Sequence, residues 1–188
     1  MELTPKIKKA MAVAARLHKD QLRMDEAPYI THPFSVALIL SRHTNDENLI
    51  AAALLHDVVE DTDYTEKELE NDFGVDIKNL VMELTVIQYE GPGRDWKKQS
   101  EDKLELLKTM SKNALLVKTA DKIHNIWDEA NGFEELGEGF LEKFNVPIVE
   151  DLKYDARSLR IIKERLGSIP IVKELEMTLK NTRKIILG

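Results

Sequence analysis

Apolar positions along this chain recur with a helical period, not the alternation of a strand. Ile7, Met11, Ala14, Ala15 and Leu17 follow one another at helical spacing and predict an amphipathic first helix, which gives way to a polar loop over 25–29. His32-Pro33 predicts the start of a second helix, because proline is favoured at the first helical position and holds the preceding residue extended. Phe34, Val36, Ala37, Leu38 and Leu40 then read as core. Asp46 is expected to cap a third helix running through Leu49, Ile50, Ala53 and Leu54 to His56 and beyond. Thr65 and Glu68 fit a capping box for a short fourth helix, which Gly74 ends at a C′ position. Asp76 opens a fifth, with Ile77, Leu80, Val81 and Leu84 facing inward.

Glu90-Gly91-Pro92-Gly93 predicts a break inside one domain, since apolar helices lie on both sides of it. A polar helix over 95–110 and a more apolar one over 114–130 follow. Asn131-Gly132 is expected to end the second, leaving 132–146 as a loop with a short helix. Pro147 and Pro170 read as first-turn prolines of the last two helices. No strand hairpin, repeat or low-complexity tract is visible. The expected fold is all-α, an orthogonal multi-helix bundle of about ten helices, in a single domain spanning residues 1–188.

Composition narrows the function. With 43% hydrophobic and 32% charged residues, the chain has material for a core and for a soluble surface. It has no cysteine, which excludes disulfides, thiolate metal sites and thiol catalysis and suits a reducing cytoplasm. The polar start over 1–9 carries no signal-peptide pattern, and the apolar runs 36–40 and 50–55 are too short to span a bilayer. A net charge of −7 argues against nucleic-acid binding. It leaves room for a small anionic ligand met by a local group of Arg and Lys.

Without cysteine, a metal must bind through histidine and carboxylate. His32 stands at a helix start, His56-Asp57 ends the apolar stretch 51–55, and Asp121 interrupts another apolar run. Such charges are costly to bury unless paired or metal-bound. Two imidazoles with two carboxylates favour Mn²⁺, Fe²⁺ or Zn²⁺ over Ca²⁺ or Mg²⁺. His56 and Glu60 are four residues apart, as are Asp57 and Asp61. On one helix this sets Glu60 and Asp61 a turn beyond the ligand positions, where a group can orient or deprotonate water. Lys118, Asp121, Lys122 and Asn125 share one helical face. Each feature alone has a plainer reading: a packed helix-start histidine, a helix-end pair at His56-Asp57, a surface pair of Asp121 with Lys118 or Lys122. His18 reads as packing, His43 as a partner for a helix C-terminus, His124 as a residue orienting a ligand from behind, and Trp127 as core.

Four ordered segments resemble the motifs of the RelA/SpoT hydrolase domain, an HD-type phosphohydrolase. They are His18-Lys19-Asp20-Gln21-Leu22-Arg23, Pro28-Tyr29-Ile30-Thr31-His32-Pro33, His56-Asp57-Val58-Val59-Glu60-Asp61-Thr62 and Ala120-Asp121-Lys122-Ile123-His124-Asn125. The length is similar to that of the small alarmone hydrolases. The resemblance implies an HD-type bundle, with Mn²⁺ held by His32, His56, Asp57 and Asp121, and Glu60 and Asp61 handling the attacking water. It implies Arg23 near a guanine base and Asn125 by the ribose or phosphates. Lys122, Lys97, Lys98 and Tyr154 are further candidate substrate contacts. The implied reaction is release of pyrophosphate from the 3′ side of guanosine 3′,5′-bis(diphosphate), ppGpp. The family usually has glycine at Asp20, a basic residue at Met24 and another near Trp127. These departures touch nucleotide contacts more than metal ligands. They keep in view an adenosine alarmone, a nucleotidase or triphosphohydrolase activity, and a nucleotide-binding regulator without turnover.

Overall fold

The computed structural model describes residues 2–85, 96–144 and 146–188. Among these, eleven helical segments follow one another: α1 Pro5–Leu17, α2 Thr31–Ser41, α3 Glu47–Leu55, α4 Val58–Asp61, α5 Glu66–Phe73, α6 Val75–Leu84, α7 Trp96–Thr109, α8 Lys112–Leu136, α9 Glu138–Leu141, α10 Ile148–Leu166 and α11 Pro170–Leu187. The only extended pairing among the described residues is a single bridge between Leu22 and Pro28. The expected Gly91-Pro92-Gly93 break, with Arg94, lies outside the described residues.

Local chemistry accounts for most of the helix starts. Thr4 caps α1, with Pro5 in its first turn. The Asp46 carboxylate accepts from the amides of Asn48 and Leu49 at the head of α3. Thr65 and Glu68 form the expected reciprocal capping box on α5. Gly74, at φ 84°, ends α5 and begins α6 in a conformation that favours glycine. Pro170 stands in the first turn of α11, whereas Pro147 lies one residue before α10 as its cap.

The long helix α8 is the axis of the bundle. It packs against α11, α2 and α3, with α6, α9 and α10 also against it. Ala114, Leu115, Val117, Ala120, Ile123 and Ile126 of α8 join the alanine-rich α3 in one continuous core. Thr182 Oγ1 donates to the Ile126 carbonyl at 3.0 Å, closing α11 onto α8.

Four expectations change. The helix α2 begins at Thr31, so His32 is already helical and not held extended before it; Pro33 sits in the first turn, where an amide has no intrahelical partner to lose. The helix α3 stops at Leu55, and a turn at His56-Asp57 leads into the separate short α4. Asn131-Gly132 does not end α8, which continues to Leu136. A Cβ on Gly132 would lie 2.3 Å from the Phe140 ring, so this glycine is a notch for an aromatic side chain and not a stop. Finally, Leu38 and Trp127 are 56% and 53% exposed and belong to the surface, not the core.

Candidate functional site

Three helical segments bring the predicted ligands together. His32 comes from the first turn of α2, His56 and Asp57 from the turn between α3 and α4, and Asp121 from the middle of α8. His32 Nε2 lies 3.2 Å from His56 Nε2, 3.6 Å from Asp57 Oδ2 and 3.4 Å from Asp121 Oδ1. His56 Nε2 lies 3.1 Å from Asp57 Oδ2 and 3.9 Å from Asp121 Oδ1. Donor atoms around one first-row cation at bond lengths near 2.0–2.2 Å stand about 3.0–3.5 Å from each other. His32, His56 and Asp57 form a group of donors with the mutual proximity that holding an ion requires, and Asp121 reaches both of its imidazoles.

The imidazoles are oriented from behind. His56 Nδ1 donates to the Ala53 carbonyl at 2.9 Å, which leaves the Nε2 lone pair directed at the cluster. His32 Nδ1 is 2.9 Å from His124 Nδ1, so a proton on His32 Nδ1 leaves its Nε2 equally free. Burial lowers the pKa of His32, and with the nearby His32 it takes His124 down to about 4. For Asp121, burial pulls the pKa upward, but Lys118 at 2.7 Å and the two imidazoles outweigh it and hold the carboxyl well below its usual range. Asn125 Nδ2 donates to Asp121 Oδ1 at 2.7 Å. The donor set therefore suits a divalent cation: imidazole nitrogens directed at one point, an ionised aspartate, and orienting contacts behind three of the four candidate ligands.

Asp61 sits at the solvent edge beside Asp57. Its pKa is raised by burial and by the Asp57 charge. Glu60 is half-buried on the same short helix α4. Because α3 and α4 are separate, Glu60 and Asp61 do not extend the rows of α3. Asp61 comes beside Asp57 because α4 restarts immediately after that residue.

From Asp121 a cleft of ≈ 530 Å³ opens between the loop before α2, α8 and α10. Arg23, Asn125, Lys122 and Tyr154, candidate substrate contacts, all line it. Arg23 donates to Asp128 Oδ2 at 2.6 and 3.2 Å and to Asn125 Oδ1 at 3.2 Å. Lys122 is 2.6 Å from Asp155 Oδ1 and lies over the Tyr154 ring, 4.3 Å from its centroid. Burial disfavours the Lys122 ammonium, but Asp155 more than reverses this and raises its pKa. Lys97 and Lys98 are exposed in the first turn of α7, where Trp96 and not either lysine reaches the cleft wall. His43 pairs with Glu174 at 2.7 Å, a tertiary contact in addition to its place at the end of α2.

Sequence reasoning passed over three residues. Tyr29 lies inside a quoted motif, yet nothing in its spacing marks it as a contact of two carboxylates. Asp128 lies seven residues beyond Asp121, a helical repeat of the same face that could have drawn notice. Lys103 lines the cleft from α7 and carries no local signal.

Comparison with known proteins finds relatives of this sequence and of this fold. The sequence pattern of the HD domain covers residues 10–134. A Xenopus tropicalis protein, guanosine-3′,5′-bis(diphosphate) 3′-pyrophosphohydrolase MESH1, is 41% identical over 128 residues, 65% of this chain and 68% of that one. A probable guanosine-3′,5′-bis(diphosphate) 3′-pyrophosphohydrolase of Mycoplasma pneumoniae is 31% identical over 182 residues, 93% of this chain but 23% of its own length. A probable GTP pyrophosphokinase of Mycobacterium leprae is 37% identical over 120 residues, and the chain spans only 15% of its length. Among solved structures, a metazoan ortholog of SpoT described as hydrolysing ppGpp superposes with a TM-score of 0.80 at 28% identity, over 98% of this chain and 97% of that one. No helix among the described residues is long and apolar enough to cross a membrane. Family pattern, fold and convergent His/Asp cluster agree: the chain belongs to the HD domain family.

Proposed function

We propose that this protein is a guanosine-3′,5′-bis(diphosphate) 3′-pyrophosphohydrolase, acting as one domain over residues 1–188 in the cytoplasm with a single Mn²⁺. The observation that carries the reading is the convergence of His32, His56, Asp57 and Asp121 at one end of a cleft that also holds Arg23 and Asn125. The relatives' activity on ppGpp supports the substrate.

His32 and His56 offer imidazole nitrogens and Asp57 and Asp121 carboxylate oxygens, a set that accepts Mn²⁺, with Zn²⁺ or Fe²⁺ as its competitors. When bound, such a cation supplies Lewis acidity that makes water a stronger acid and offsets charge on phosphoryl oxygens. Glu60 and Asp61 orient the attacking water and take its proton. The bond broken joins the 3′ oxygen to its phosphorus, and the products are the nucleoside 5′-diphosphate and pyrophosphate. Arg23, held by Asp128, and Asn125, held by Asp121, seat the nucleoside. Lys122 and Tyr154 form the facing wall, and Lys97 and Lys98 lie outside it, where only the outer phosphates of a long substrate reach.

Incubation of the purified protein with Mn²⁺ and ppGpp should release pyrophosphate and leave guanosine diphosphate. Absence of release from metal-loaded protein rejects the reading; tight binding of an intact nucleotide points instead to a regulator. One observation favours a second substrate on the same scaffold. Met24, at the place where the family usually has a basic residue, lines the cleft and is exposed. The adenosine analogue belongs in the same assay, and faster turnover of it moves the assignment to an adenosine alarmone.

A further inference from the structure

We infer that Tyr29 is a positioning residue that holds the Asp61 carboxylate beside the metal-facing oxygen of Asp57. This rests on the proposed role of Asp61 in handling water. The Tyr29 hydroxyl lies 2.7 Å from Asp57 Oδ2 and 3.1 Å from Asp61 Oδ2. It has one proton to give, and it stands between two carboxylates of like charge. The oxygen it meets on Asp57 is the one that faces His56 Nε2 and His32 Nε2. Asp61 is at the solvent edge, so without the bridge repulsion from Asp57 turns its side chain outward into water.

The ring is itself fixed. It lies against His18, with centroids 4.9 Å apart, and edge-on to His32 at 5.8 Å. The Arg23 guanidinium covers it at 5.7 Å. Its backbone is tied at both ends: the Tyr29 amide donates to the Gln21 carbonyl, and its carbonyl accepts from the His32 amide, each at 2.9 Å. The same loop holds Asp61 a second time, because Gln21 Nε2 donates to the Asp61 carbonyl at 2.7 Å. Backbone and side chain of Asp61 are thus both set by the segment that carries Arg23. The seat for the nucleoside and the carboxylate for the water share one support.

The test is a double-substitution cycle of Tyr29→Phe and Asp61→Asn. Tyr29→Phe keeps the ring packing and removes only the hydroxyl. It should lower kcat by roughly 10–100-fold, the usual cost of a misplaced catalytic group. KM for ppGpp and Mn²⁺ affinity by calorimetry should each change by less than about 3-fold, because the ligand positions and Arg23 remain. In the Asp61→Asn background, the same change should cost less than about 2-fold in kcat, since there is no carboxylate left to hold. Losses that multiply in the double variant, or Mn²⁺ affinity falling in step with kcat, overturn the inference. A crystal structure of Tyr29→Phe gives a readout independent of substrate: Asp61 turned away from Asp57 supports it, and Asp61 in its original place overturns it. That separates failure of this inference from failure of the ppGpp assignment.

Discussion

Helix α8 carries two lysine–carboxylate pairs, one turn apart, and they differ in what they face. Lys118 pairs with Asp121 within the helix at 2.7 Å, while Lys122 pairs with Asp155 of α10 at 2.6 Å. In the first pair the carboxylate keeps an oxygen 3.4 Å from His32 Nε2, in a cluster whose other donors also point inward. In the second pair the charges satisfy each other, and the surplus is acid: Glu129 and Asp151 lie close by, and among the described residues Glu129 Oε2 is buried without a hydrogen-bond partner. Burial, with the charges of Asp155 and Asp151, raises the Glu129 pKa to about 9, so at neutral pH it is a protonated acid. A buried ion pair is therefore not evidence of a site by itself. What separates the two is whether lone pairs converge on a shared point or are spent inside the pair.

Breaking the first region should cost most. Asp121→Ala should lower turnover by roughly 10³–10⁴-fold, the several kcal/mol that a catalytic metal contributes. It should also lower Mn²⁺ occupancy measured by elemental analysis. Retained turnover would dissolve the distinction between the two pairs.

The second region should respond in stability. Lys122→Met leaves Asp155 without its cation and should destabilise the fold by about 3–5 kcal/mol in urea titration. A loss below about 1 kcal/mol, the scale of surface pairs, would show that the wall is not a closed ion pair.

His124 tests the support behind the metal end. His124→Ala removes the partner of His32 Nδ1 and should weaken Mn²⁺ binding by about 10–100-fold. An unchanged calorimetric affinity would leave the orientation of His32 to packing alone.

Glu129→Gln is the mildest change and has an opposite sign. As pH rises above 4.5 the unfolded chain ionises at Glu129 while the folded chain keeps the proton up to about 9. The folded state then binds more protons, so stability falls with pH across this window. Glutamine removes that loss. The gain should be near zero at pH 4.5 and reach about 1–3 kcal/mol by pH 9, as expected for a buried polar group relieved of ionisation. Equal melting temperatures at both ends of the range would mean that Glu129 reaches water.

Sequence patterns carried far in this protein where the chemistry is local. The caps at Asp46 and Thr65-Glu68 and the four metal-ligand candidates all follow from neighbours within a turn or from ordered motifs. They failed where a distant side chain decides. Gly132 reads as a helix end until Phe140 is found in its notch. Lys122 reads as a candidate substrate contact, and nothing near it in sequence announces its pairing with Asp155, thirty-three residues on. Trp127 reads as core, yet its position on α8 turns it outward beyond the His124 ring.

The amino-acid sequence alone determined an all-helical chain and named the residues of one candidate metal-binding cluster, because periodicity, capping and the scarcity of justified buried charge are properties of short stretches. Only the tertiary structure decided which charges remain available. Pairing between α8 and α10, and a tyrosine hydroxyl set between two aspartates, depend on where separate helices meet in space, and no local pattern encodes that meeting.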